Sequence, residues 1–323
     1  MDCTNRGGSL QLVYGEGSLG VHGAGNGKSF HYIFSYGRGG LESLVTDGME
    51  WIYRTPAPAF WRALTDNDRG NGFHQKSGIW SAADRYIKCL GAAVFVDKEE
   101  IAMPVAPENN RYSGGETAGE VSLVYTFETI LEKTANVTVE YTVSGDGQIL
   151  VRVHYKGAEG LPELPVFGLR FLMPTCADGF RYEGLSGETY PDRKQGGIPG
   201  VYEVEGMPVT PYLVPQDCGM HVDTRWVEVK RSKVLSNCRE PVGSQSLRFS
   251  MRDKEFAFSC LPYTSQELEN ATHQEELPPP RRTVLSIFGA VRGVGGIDSW
   301  GSEVEAPYHV DARKDIEYSF LIN

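Results

Sequence analysis

Apolar and polar residues alternate along most of the chain, the period-two pattern of strands with one buried face. Phe30, Tyr32, Phe34 and Tyr36 share one face of SFHYIFSY. Val121, Leu123, Tyr125 and Phe127 do the same in VSLVYTFET, and Val137, Val139, Tyr141 and Val143 repeat it. The turn SGDGQ then leads into ILVRVHY. Gly-Asp-Gly supplies the positive φ that tight turns require, so a long hairpin is predicted here. FGLRFLM, RWVEVKR, SLRFSM, EFAFSCL, VLSIFGAV and IEYSFLI read as further strands, rich in the Tyr and Phe that suit a pleated surface.

Helical spacing is scarce. Ser77 can cap SGIWSAADRYIKCL, where Ile79, Ala83, Tyr86, Ile87 and Leu90 fall near one face. The second candidate, TSQELENATHQEEL, opens with Thr264 and Glu267 at capping-box spacing, and Pro278 to Pro280 are placed to stop it. Gly/Pro-rich loops are predicted over 97–119, 156–165 and 191–211, none long enough for a domain linker. Many strands with one or two short helices predict a large all-β, antiparallel sandwich. Residues 1–323 read as one domain, with 1–7 a loosely ordered N-terminus.

Charge and cysteine content narrow the function. The net charge of −11 disfavours nucleic acid and anionic membranes, which reward a basic face. No stretch reaches the ~18 apolar residues that cross a bilayer. The N-terminus lacks a basic segment followed by an apolar run, so a cytoplasmic chain is expected. Cys3, Cys89, Cys176, Cys218, Cys238 and Cys260 are scattered, with no C-x-x-C, and read as free thiols. The seven histidines show no HxxxH or HExxH spacing, so no metal site is expected on this chain.

Three segments are candidates for function. In PAPAFWRALTDNDRGNGF, Pro56 and Pro58 force an extended entry to Phe60, Trp61 and Arg62, and Asp66, Asn67 and Asp68 follow. Paired glycosidase carboxyls stand ~5–9 Å apart across a sugar, which adjacent residues on one loop seldom achieve. An Asx-rich turn and a docking surface remain as readings. GNGFHQKSG follows, with Gly70, Asn71, Gly72, Phe73 and His74 in either a hinged lid or a plain surface loop. In GVGGIDSWG the glycines let the chain turn sharply around Asp298 and Trp300. An indole there could serve as a flat platform for a pyranose or plug one end of the sandwich.

AFWRALTDNDRG resembles the signature RFWRAPTDNDxG that opens the last domain of the large bacterial β-galactosidases of the glycoside hydrolase family 2 type. Further resemblances follow in the same order: FGLRFLMP, FRYEGLSGETYPDR, VTPYLVPQDCGMHVDTRW, LPYTSQELENATHQEEL and GVGGIDSW. Together they run from about residue 8 to residue 322. Two departures stand out: Leu64 replaces the family's Pro, and Gly187, Glu188 and Thr189 replace its GPxEN portion.

The resemblance implies a supersandwich of two large antiparallel sheets, shared with galactose mutarotases. It implies the small part of a retaining β-galactosidase, acting on terminal β-galactosides such as lactose. The catalytic carboxylates would lie on a partner, a large chain or preceding domains carrying a (β/α)8 barrel. Trp300, with Asp298 beside it, would then stand at the sugar site, and residues 70–74 would border its entrance. Phe60, Trp61, Arg62, Asp66, Asn67 and Asp68 would serve docking. No cofactor is implied on this chain, and Mg and Na ions would belong to the large-chain active site. A purely structural or carbohydrate-binding module is the alternative reading. An autonomous mutarotase needs a positioned acid and base, and the histidines do not follow that pattern.

Overall fold

Alternation decides the architecture as expected, and the computed structural model describes it over residues 9–106, 116–131, 136–235, 243–298 and 301–323. Inward residues of the predicted runs are buried: Phe30, Tyr32 and Phe34, then Val121 to Phe127 and Val137 to Val143 at every second position. Tyr36 lies just past its strand and is only half-buried. The hairpin Asn136–Ser144 to Ile149–Tyr155 closes through Gly147, whose φ of 84° is left-handed.

The largest sheet has ten strands. Its order is Pro199–Glu205, Gly179–Leu185, Trp226–Arg231, Gln245–Met251, Ile316–Ile322, Ile149–Tyr155, Asn136–Ser144, Glu120–Glu128, Lys88–Val96 and Glu99–Ile101. The facing layer is split, where a single second sheet was expected. One part has six strands, from Met49–Glu50 through Gly40–Thr46, Lys28–Ser35, Ser18–Gly25 and Leu10–Tyr14 to Thr117–Ala118. The other has five: Met220–Thr224, Phe256–Leu261, Thr283–Val291, Val166–Met173 and Arg54–Ala59. The described pairings are all antiparallel. The split falls at Arg54–Ala59, where Pro56 and Pro58 cannot donate to a neighbour, which confines that strand to an edge. Rings bridge the layers, with Phe34 5.7 Å from Tyr141 and Phe171 5.1 Å from Phe249. The result is an all-β antiparallel supersandwich.

The helices differ from the sequence reading. Four α-helices are present among the described residues: α1 (Asp66–Gly70), α2 (Phe73–Ser77), α3 (Ile79–Arg85) and α4 (Ser265–Asn270). Ser77 caps nothing: it is the buried last residue of α2, and Gly78 precedes α3. Tyr86 and Leu90 are exposed, and Lys88 already begins a strand. Burial of Trp80 sets the orientation of α3 instead, its ring stacked 5.6 Å from Phe60. Asp84 on the same helix accepts from the Phe60 and Trp61 amides and pairs with Arg170.

Helix α4 has the expected capping box of Thr264 and Glu267. It ends at Asn270, well before the prolines, because Ala271 is already extended. The predicted loop 191–211 contains an edge strand, Pro199–Glu205. Segment 97–119 likewise contains Glu99–Ile101 and Thr117–Ala118. No described helix is long and apolar enough to cross a membrane.

Candidate functional site

Segments far apart in sequence converge at the end of the five-stranded sheet. Thr65 opens α1: its hydroxyl accepts from the Asp68 amide at 3.2 Å, and the Asp68 carboxylate accepts from the Thr65 amide at 2.9 Å. This reciprocal cap satisfies two of the donors that a helix start leaves open. Asp66, Asn67 and Asp68 therefore begin a helix and do not form the Asx-rich turn that the sequence suggested.

Asp68 is wholly buried and is the centre of an ionic cluster. Arg62 reaches one of its oxygens at 2.6 Å and Arg292 the other at 3.2 Å. Arg292 continues to Glu163 at 2.8 Å and Glu303 at 2.5 Å, and Lys76 closes on Glu303 at 3.0 Å. Burial alone would raise the Asp68 carboxyl, but Arg62, the Thr65 amide and Arg292 outweigh it and hold it below the usual range. Burial likewise works against the Arg62 cation, and the nearby Asp68 and Asp217 carboxylates more than restore it. Removing one partner from such a cluster strands a buried charge, at a cost of about 3–5 kcal/mol.

The glycine-rich segment 293–298 is fastened to the same place. The Val294 and Gly295 amides donate to the Asp192 carboxylate at 3.0 and 2.8 Å. The Gly295 carbonyl accepts from Asn67 at 3.3 Å and also from Arg193. Gly296 has a φ of 71°, and a Cβ there would come within 2.3 Å of the Asn67 amide nitrogen. Asp298 is exposed and accepts from the Ser302 hydroxyl. Trp300 lies outside the described residues.

Beside this knot opens a cleft of about 480 Å³, lined by Thr65, Asp66, Asn67, Glu188, Tyr190, Arg193, Tyr212, Gln216, Asp217 and Val294. Asp66 and Gln216 clasp each other, backbone amide to Oε1 at 2.9 Å and Nε2 to carboxylate at 3.0 Å. Tyr190 donates to Asp217 at 2.8 Å. Burial drives the Asp217 carboxyl up to about 7, with the Glu188 and Asp68 charges adding to the shift and Arg62 and the Tyr190 hydrogen bond opposing it. Burial pushes the neighbouring Cys218 thiol up to about 12. The four described cysteines are unpaired.

The structure sorts the residues proposed for docking. Phe60, Trp61, Arg62 and Asp68 are interior and present no surface to a partner, so any part they take in docking runs through the backbone they fix. Asp66 and Asn67 reach the surface and line the cleft. Residues 70–74 are not an open lid loop. Gly70 ends α1, and Gly72 (φ 75°) turns the chain into α2. Asn71 donates to Glu303 and accepts from the Phe73 amide. Phe73 is buried, with the Arg292 guanidinium 4.2 Å from its ring centre. Only His74 in this group projects freely into solvent. Sequence reasoning assigned no role to Tyr190, Asp192, Arg193, Asp217 or Arg292. The first four lie inside the resembling segments, and Arg292 lies immediately before GVGGIDSW.

Residues 26–322 match the family model described as beta galactosidase small chain. The chain belongs to the β-galactosidase small-chain family. A β-galactosidase small subunit from Latilactobacillus sakei is 59% identical over 315 residues, covering 97% of this chain and 98% of its own length. A β-galactosidase from Halalkalibacterium halodurans is 34% identical over 325 residues. That match covers 99% of this chain but only 29% of the longer protein. Among solved structures, a galactose mutarotase-like protein from Lactobacillus casei aligns over 97% of this chain and 99% of its own, with a TM-score of 0.38 and 9% identity.

Proposed function

We propose that this small-chain family member forms the non-catalytic part of a retaining β-galactosidase of the glycoside hydrolase family 2 type. It would hydrolyse terminal β-D-galactosides such as lactose only together with a barrel-bearing large chain or preceding domains. The observation that carries the reading is the pair of alignments. The chain spans nearly all of a small subunit, and it spans 29% of a β-galactosidase that is otherwise much longer. Retention requires two carboxyls ~5 Å apart, and the reading assigns that pair to the partner. The ionic cluster around Asp68 supports it too: charges neutralised in the interior hold the surface pair Asp66 and Asn67, and the glycine segment leading to Trp300, in one arrangement. In this reading Trp300 stacks on the sugar and Asp298 stands beside it.

The purified chain is expected to leave a chromogenic β-galactoside intact. Hydrolysis should appear on mixing with the matching large chain and should co-elute with the complex. Turnover by the single chain that survives repeated chromatography would overturn the assignment.

A further inference from the structure

At the far end of the five-stranded sheet from the Asp68 cluster, three arginines meet an exposed apolar floor. Arg54 opens the strand Arg54–Ala59 beside Leu172, and Arg281 and Arg282 immediately precede Thr283–Val291. Pro174 follows Val166–Met173 at the same end. Two depressions of about 440 and 400 Å³ share Tyr53, Pro174 and Leu235, and so form one continuous groove. Val45 and Gly48 extend it to the edge of the six-stranded sheet. Tyr53 is 41% exposed and Leu235 75%. Apolar side chains grouped in the open in this way gain free energy when another surface covers them.

The rim is basic, against the trend of a chain with a net charge of −11. The Arg54 guanidinium lies 5.6 Å from the centre of the Tyr53 ring, and the Tyr53 hydroxyl accepts from Arg282 at 3.4 Å. Arg282 pairs with Glu267 at 2.6 Å, and Arg281 reaches the same carboxylate only at 3.9 Å. Arg54 has no carboxylate in ion-pair range among the described residues. Glu50, in the other half of the groove, is taken up by its own hairpin, accepting from the Ser43 hydroxyl at 2.5 Å and from the Leu44 and Ile52 amides at 2.9 and 3.2 Å. Three guanidiniums therefore share one carboxylate, and the rim stays net positive.

An occupant has to bring carboxylates to the rim and an apolar side chain to the floor. A small anion alone leaves Tyr53 and Leu235 uncovered, and an apolar molecule leaves Arg54 and Arg281 unpaired. Small-molecule sites enclose most of their ligand, whereas a floor residue as exposed as Leu235 lies in an open groove. Tyr and Arg around an apolar centre are the residues that commonly carry affinity between proteins.

We propose that this groove seats an acidic segment of the large chain, with carboxylates on Arg54 and Arg281 and an apolar side chain against Tyr53, Pro174 and Leu235. The inference rests on the two-chain β-galactosidase reading for the identity of the partner. Phe60, Trp61, Arg62 and Asp68 offer that partner no surface, whereas the groove offers both charge and apolar area.

The test is the affinity of the full chain for the matching large chain, measured by sedimentation and by biolayer interferometry at about 50 and 500 mM salt. Arg54→Glu and Arg281→Glu should each weaken assembly about tenfold at the lower salt, with the difference shrinking at the higher. Leu235→Ala should weaken it about fivefold at both. All three side chains are exposed, so melting temperatures of the isolated chain should not change. Arg252→Glu, at an exposed arginine on the turn after Gln245–Met251, carries the same change in net charge and should stay within about twofold of the parent. Assembly that the three groove variants leave unchanged overturns the seat and leaves the proposed function standing. Failure of the unaltered chain to assemble refutes that function, and the seat with it. Phosphate or citrate bound by the isolated chain, and lost in arginine variants that assemble normally, would mark a small-anion site. Self-association lost in the same variants, again with normal assembly, would mark a contact between two copies of this chain. Either result also overturns the proposal.

Discussion

Asp217 shows how one buried residue can set a pH dependence. Its carboxyl is enclosed by Tyr190, Cys218, Glu188 and the Arg62–Asp68 pair, and burial raises it to about 7. A raised carboxyl favours the folded state while neutral. That contribution is full below the ordinary carboxylate range, fades as pH climbs toward 7, and is gone above it. Asp217→Asn keeps a neutral planar group and removes the ionisation. The variant should therefore gain on the parent between pH 5 and pH 8, by on the order of 1–3 kcal/mol. Urea unfolding of both proteins at the two pH values measures this, and parallel pH dependences would contradict the assignment. Nothing in the sequence marked Asp217 for this role. PQDCG reads as a polar loop, and only tertiary enclosure by residues up to 155 positions away perturbs the acid.

At the scale of elements, legibility depended on how strongly a local pattern outweighs its rivals. Strands with strict alternation were readable because burial of one face has a single solution. Helix α4 was readable because Thr264 and Glu267 carry the usual capping-box pair. Helix α1 was not: its N3 residue is the shorter Asp68, and a T-D-N-D run equally suits a turn. The glycines of 70–78 suit either a hinged lid or a plain surface loop, but Gly72 serves to place α2, which the cation on the Phe73 ring then holds. The glycines near 295 predict a sharp turn, and Gly295 and Gly296 take the positive φ it needs, while nothing in the sequence pairs them with Asn67.

That partner makes a test. Gly296→Ala must accept both a φ of 71° and a Cβ 2.3 Å from Asn67, whereas Gly187→Ala has a similar φ of 72° and open space around it. The Gly187 variant should lose about 1 kcal/mol from backbone strain alone, and the Gly296 variant about 2–4 kcal/mol. Thermal or urea unfolding separates them. Equal losses would mean that the 293–298 segment moves freely off α1.

For the whole molecule, the question is whether three sheets make three cooperative units. A chain of 323 residues exceeds the size at which single cores commonly divide, and intermediates are usual in that range. The packing argues for one unit. A continuous cluster of buried side chains joins Leu12, Val21 and Phe34 of the six-stranded sheet to Val139, Phe249 and Phe320 of the ten-stranded one, and to Phe171 and Phe258 of the five-stranded one. Ring contacts cross each seam, with Phe34 against Tyr141 at 5.7 Å and Phe180 against Phe258 at 5.7 Å. Neither smaller sheet can leave without exposing the face of the large sheet that it covers. The isolated chain should therefore unfold in one transition, with calorimetric and van't Hoff enthalpies in agreement. Two resolved transitions, with loss of the six-stranded sheet preceding the rest, would show that the split at Pro56 and Pro58 divides the energetics as well as the hydrogen bonding. A binding partner that recognises only the folded chain should move a single transition upward as its concentration rises, whereas a divided molecule would shift only the part that is bound.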